Sequence, residues 1–157
     1  MKITSRNLKE TKELARKFVD ALTQSEQSDK AAVVALDGDL GSAKTTFSQF
    51  VGEALGVRGA IQSPTFLIEK IYELHDKPWK HLIHIDAYRL DKPEELLHLG
   101  WQEMISRKDN LILVEWASRV ESILPPDTIH VAFEFIDENT REIEILSEAR
   151  HDETNES

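Results

Sequence analysis

The chain has 157 residues, 40% of them apolar and 31% charged, with a formal net charge of −10 and no cysteine. That length suits one domain with its own core, and the missing thiols exclude disulfides and thiolate metal sites. No apolar run approaches membrane-span length and none comes after Met1-Lys2-Ile3-Thr4-Ser5-Arg6, so a cytoplasmic protein without membrane attachment is expected. The acidic balance argues against gripping nucleic acid alone, because side chains that neutralise phosphates supply most of that affinity.

Asn7-x-x-Glu10 has the form of a helix-starting cap, and Leu14, Phe18 and Leu22 recur on one face of the helix it would open. The polar segment Gln24 to Lys30 then delivers the chain to Ala31-Ala32-Val33-Val34-Ala35-Leu36, an unbroken apolar run. A strand with no alternation predicts a parallel sheet covered on both faces. Directly after it come Asp37-Gly38-Asp39-Leu40-Gly41-Ser42-Ala43-Lys44-Thr45-Thr46 and a helical pattern through Phe47, Phe50, Val51, Ala54 and Leu55 to Gly56. Strand, glycine-bearing turn and Lys-Thr helix start together read as a phosphate-binding P-loop. Its backbone amides and the helix dipole would face an anion, Lys44 would reach the β- and γ-phosphates, and the Thr45 hydroxyl would ligate Mg²⁺. Ala43 stands where the motif G-x-x-x-x-G-K-[ST] has its second glycine, which separates nucleotide binding from efficient turnover.

Ser63-Pro64-Thr65-Phe66 reads, on spacing alone, as an ordinary polar turn. Phe66 to Leu74 is strand-like, and Leu82-Ile83-His84-Ile85-Asp86 is a second apolar strand closing on a carboxylate. Asp91, Pro93 and Glu94-Glu95 open a helix ending near Gly100, with a further helical turn from Trp101 to Ser106. Leu111-Ile112-Leu113-Val114-Glu115-Trp116 is a third buried strand; aliphatics and then an acid, downstream of a P-loop, form the Walker-B pattern whose acid holds Mg²⁺. Ala117 to Leu124 is expected to be helical, and Thr128 to Ile136 with Arg141 to Leu146 to form an antiparallel hairpin. The tail 147–157 has little to bury and is expected to be disordered. His81 and His84, three apart on a strand, would point to opposite faces and so read as structural or surface residues, not a metal pair. The tryptophans read as core or interface anchors, and Arg89 and Arg119 as solvated.

Taken together, these stretches resemble the TsaE family, small bacterial ATPases of tRNA threonylcarbamoyladenosine biosynthesis. The resemblance rests on Gly38 to Phe47, Ser63-Pro64-Thr65-Phe66, His84-Ile85-Asp86-Ala87-Tyr88-Arg89-Leu90, Pro93-Glu94-Glu95-Leu96 and Val114-Glu115-Trp116, in that order. It implies a P-loop NTPase fold over residues 1–146: an α/β domain with a mainly parallel central sheet flanked by helices and a C-terminal antiparallel hairpin. It also implies an ATPase that uses ATP and Mg²⁺, acts with TsaB and TsaD, and meets tRNA only through that complex. The implied catalytic residues are Lys44, Asp86 and Glu115, with Asp86 near the γ-phosphate or its water. The implied nucleotide contacts are Gly38, Asp39, Leu40, Gly41, Ser42, Ala43, Lys44, Thr45, Thr46, Thr65 and Trp116; the implied Mg²⁺ ligands are Thr45 and Glu115. Ser63-Pro64-Thr65-Phe66 becomes, on this resemblance, a switch-type loop beside the nucleotide. Two other readings stay open: a nucleotide-sensing adaptor without turnover, favoured by Ala43, and a small-molecule kinase on the same fold. A GTPase is disfavoured because no Asn-Lys-x-Asp motif is present.

Overall fold

Val34, Ala35 and Leu36 have no exposed surface, and neither do Leu111, Ile112, Leu113 and Val114. Strands this apolar must be covered on both sides, and the architecture arises from that need. The computed structural model describes residues 1–38, 44–57 and 69–147. Its strands are β1 (Lys2–Ser5), β2 (Ala32–Gly38), β3 (Glu69–Glu73), β4 (His81–Asp86), β5 (Asn110–Glu115), β6 (Ile129–Phe135) and β7 (Arg141–Ser147). They form one sheet in the order β1-β7-β6-β2-β5-β4-β3. The inner strands β6, β2, β5 and β4 run parallel, while β1 on β7, β7 on β6 and β3 on β4 are antiparallel. The expected parallel centre and C-terminal hairpin are present. The sheet as a whole is mixed, because each edge is finished by an antiparallel strand.

Alternation along β2 splits the core. Val34 and Leu36 face one layer with Phe18, Phe47 and Val51, where α1 (Leu8–Gln24) and α2 (Lys44–Ala54) pack. Val33 and Ala35 face the other with Leu96 and Trp101, where α3 (Pro93–His98) and α4 (Trp101–Ser106) lie. On the first side, Phe47 packs between Phe18 and Phe133 in a tilted and an edge-on contact, with ring centroids 5.7 and 5.3 Å away. That aromatic cluster locks α2 against both α1 and the sheet, and so fixes where the first turn of α2 sits. On the second side, the Trp101 indole N–H donates to the Ile123 carbonyl at 3.0 Å.

Local chemistry sets the helix ends. Asn7 caps α1, its side chain accepting from the Glu10 N–H at 2.8 Å, as its position before the apolar stripe predicts. Helix α2 closes on Gly56 at φ +84°, with the Val57 N–H reaching back to the Gly52 carbonyl at 2.9 Å. In α3, Pro93 comes directly after Lys92, and the Glu95 carboxylate accepts from the N–H groups of Asp91 and Lys92 at 2.6 and 3.1 Å. Those backbone bonds, the one from Lys92 foremost, hold the Glu95 carboxyl below the usual carboxylate range.

Two elements differ from expectation. The N-terminal residues form β1, an edge strand. Segment Ala117–Ile123 is 3₁₀ in character and kinked at Val120, whose φ/ψ of −126°/21° is not helical. The hairpin runs through Ser147, which pairs with Ile129. The rest of the tail expectation, 148–157, lies outside the described residues. Among the described residues no helix is long and apolar enough to cross a membrane.

Candidate functional site

The parallel strands bring three chain segments to one edge. β2 ends at Gly38, β4 at Asp86 and β5 at Glu115. Glu115 is the register partner of both Leu36 on β2 and Asp86 on β4, so the two acids stand side by side at the carboxyl ends of neighbouring strands. Ligands of open α/β sheets collect at such ends. Helix α2 begins at Lys44 above the same edge, so its positive dipole end lies over the cluster.

Glu115 is only 2% exposed, and its two carboxylate oxygens have different partners. The Thr45 hydroxyl donates to Oε1 at 3.1 Å. On the other side, Oε2 meets the Ser48 hydroxyl at 3.3 Å and His84 Nε2 at 2.5 Å. Lys44, also buried, donates from Nζ to the Gly38 carbonyl at 2.5 Å, and its ammonium lies 4.1 Å from the centre of the Trp116 ring. A lysine, two hydroxyls and a carboxylate are thereby gathered within one turn of helix and one strand tip. Such a set supplies a cation for phosphate oxygens and hard oxygen donors for a small divalent metal.

Asp86 caps the 3₁₀ turn Ala87–Arg89, accepting from the Tyr88 N–H at 3.0 Å. The Tyr88 ring lies 4.9 Å from Trp116, and the Arg119 guanidinium sits 5.1 Å from the Tyr88 ring while donating to the Leu90 carbonyl at 3.4 Å. Arg119 is therefore engaged with the site's aromatic wall, whereas the sequence alone has it solvated. Trp116 takes a left-handed conformation, φ +59°, which is rare for a bulky residue and turns its ring back over Lys44. The Asp37 carboxylate accepts from the Ser118 N–H at 2.9 Å and ties the end of β2 to the segment after β5. Beside it opens a cleft of about 380 Å³, lined by Asp37, Gly38, Trp116, Ser118, Glu121 and His130 among others.

Of the residues singled out from sequence, Gly38, Lys44, Thr45, Glu115 and Trp116 meet in direct contacts, and Asp86 joins them by register. Thr46 is half-buried on α2 next to Thr45. Asp39, Leu40, Gly41, Ser42, Ala43 and the Ser63-Pro64-Thr65-Phe66 stretch lie outside the described residues. Sequence reasoning misses Ser48 and His84. Both carry a positional signal: Ser48 comes one helical turn after Lys44, and His84 precedes Asp86 by two on a strand and so shares its face.

Thr45 Oγ1 and Glu115 Oε1 fit Mg²⁺, which is bound through one or two protein oxygens and takes the rest of its shell from water and phosphates. Among the described residues no cluster of three or more His, Cys, Asp or Glu side chains forms an all-protein metal cage.

A mixed α/β sheet carrying a Lys-Thr helix start and an acid on the adjacent strand tip defines a domain whose polar centre lies at the carboxyl ends of its parallel strands. The family profile described as Threonylcarbamoyl adenosine biosynthesis protein TsaE matches residues 5–143. The chain belongs to the TsaE family. Among relatives named tRNA threonylcarbamoyladenosine biosynthesis protein TsaE, that of Rickettsia typhi is 36% identical over 141 residues, 89% of this chain and 90% of that protein. The Haemophilus influenzae protein is 33% identical over 133 residues, 85% of this chain and 80% of its own length. A crystal structure of Bacillus subtilis YdiB superposes with a TM-score of 0.72 at 29% identity, covering 98% of this chain and 89% of that one.

Proposed function

We propose that this chain is the Mg²⁺-dependent ATPase component of tRNA N6-threonylcarbamoyladenosine synthesis, a cytoplasmic P-loop domain acting with TsaB and TsaD. The observation that carries the reading is the cluster of Lys44, Thr45 and Glu115 at the tips of β2 and β5, with Asp86 as Glu115's neighbour in register. Family membership supports the pathway, and the passage from β2, ending at Gly38, to α2, starting at Lys44, supports the nucleotide.

In this reading Lys44 neutralises phosphate oxygens, and the Thr45 hydroxyl with the Glu115 carboxylate holds the metal. Those two residues would hold Mg²⁺, which would supply positive charge to neutralise phosphate oxygens. Asp86 is the carboxylate assigned to the γ-phosphate or its water. Trp116 covers the lysine and limits water around it. Rate enhancement would come from positioning and charge neutralisation, with no covalent intermediate on the protein.

Calorimetric titration of Mg-ATP into the parent and Lys44→Ala tests the assignment. The variant is expected to lose at least about tenfold in affinity, equivalent to removing one charge-assisted contact of roughly 1.5–3 kcal/mol. Equal affinities would place the nucleotide elsewhere.

A further inference from the structure

His84 has no exposed surface, and its ring is wedged against Glu115 with Nε2 at 2.5 Å from Oε2. Its other nitrogen, Nδ1, is buried with no hydrogen-bond partner among the described residues. This arrangement selects a tautomer. A proton on Nδ1 would be a buried donor with no acceptor, and a bare Nε2 lone pair would confront a carboxylate oxygen; a proton on Nε2 removes both conflicts. His84 therefore donates to Oε2.

The Ser48 hydroxyl also approaches Oε2, at 3.3 Å, but its one hydrogen is contested by the Lys44 carbonyl at 3.0 Å. His84 thus supplies the hydrogen bond that Oε2 does not share. It does so from a rigid platform: its register partner on β5 is Leu113, two residues before Glu115, so the imidazole and the carboxylate occupy one face of adjacent parallel strands. With Oε2 fixed, rotation of the carboxylate is arrested and Oε1 is left facing Thr45.

We propose that His84 is a positioning residue that pins Oε2 of Glu115, so that Oε1 and the Thr45 hydroxyl are presented together to a divalent cation. The inference rests on the Mg-nucleotide reading above and adds to it the buried side chain that orients the metal's carboxylate. Outer partners of this kind fix a ligand's direction, and their loss typically weakens metal binding by about tenfold to a hundredfold.

The test separates metal affinity from nucleotide affinity. Mn²⁺, monitored by electron paramagnetic resonance, is titrated into the full chain saturated with ADP, while ADP affinity is measured by calorimetry in EDTA. His84→Leu is expected to weaken Mn²⁺ binding about tenfold or more and to leave metal-free ADP affinity unchanged. His84→Gln, whose amide N–H can take the place of Nε2–H, is expected to recover most of the loss. Should His84→Leu fail to fold, His84→Asn, with a shorter amide that falls short of Oε2, replaces it. Unchanged Mn²⁺ affinity in the variant lacking the donor overturns the positioning role, as does an equal loss of metal-free ADP affinity in every variant, which marks simple packing. A parent chain that binds ADP but shows no Mn²⁺ uptake removes the metal reading as well, so the two failures are distinguishable.

Discussion

Two carboxylates at strand ends show how much a single side chain's surroundings decide. Glu115 is almost fully buried, yet each of its oxygens has a hydrogen-bond donor. Glu69, at the start of β3, has one oxygen buried with no partner among the described residues, and burial pushes its carboxyl above the usual range. A carboxyl with a raised folded pKa binds more protons when folded, so its contribution to stability is complete below the unfolded value of about 4.3 and is lost as pH rises through the folded value. Urea unfolding of the parent and Glu69→Gln across that window is expected to show the variant gaining on the parent as pH rises and the difference closing on acidification; parallel curves would contradict it. At this scale the sequence is informative wherever a residue sits inside a spaced motif, as Lys44, Thr45 and Glu115 do. His84 reads as structural from sequence because a lone histidine on an apolar strand has no motif of its own, and only the register of β4 against β5 reveals what it faces.

The elements legible in the sequence are those whose physics is written locally. β2, β4 and β5 announce themselves as continuous aliphatic runs, since a strand buried on both faces can contain little else. Helix α1 is declared by a cap and an apolar stripe. By contrast β1 spans only Lys2–Ser5 with Ser5 as its one fully buried residue, and it exists because β7 offers an unpaired edge. No local pattern encodes that. The kink at Val120 is equally non-local, since the segment must bury Ala117 and Val120 while starting from the left-handed Trp116. The cap on α1 gives a clean test of the local part. Asn7→Ala removes the acceptor for the Glu10 N–H and is expected to cost about 1 kcal/mol in urea unfolding. ATP affinity should not change, because α1 contributes no side chain to the Lys44 cluster. A stability loss with a matching loss of affinity would mean that the cap acts on the site through α2.

Across the whole molecule, the sheet separates two cores and gathers the Lys44, Thr45 and Glu115 cluster at the carboxyl ends of its parallel strands. The whole chain carries a formal net charge of −10. Affinity for RNA comes largely from cationic side chains that displace counterions from phosphates, and even proteins built for it bind non-specifically with dissociation constants of about 10⁻⁴–10⁻⁶ M at physiological salt. Lys44 is buried and turned towards the Gly38 carbonyl, so it is not presented at the surface for such contacts. In a filter-binding assay at about 0.15 M salt, where charges are screened beyond roughly 8 Å, the isolated chain is therefore expected to retain no tRNA below about 10⁻⁴ M. On the proposed partnership, adding TsaB and TsaD is expected to produce retention that this chain alone does not give. Micromolar retention by the isolated chain would show that a local basic surface outweighs the global charge, and would assign tRNA contact to this domain.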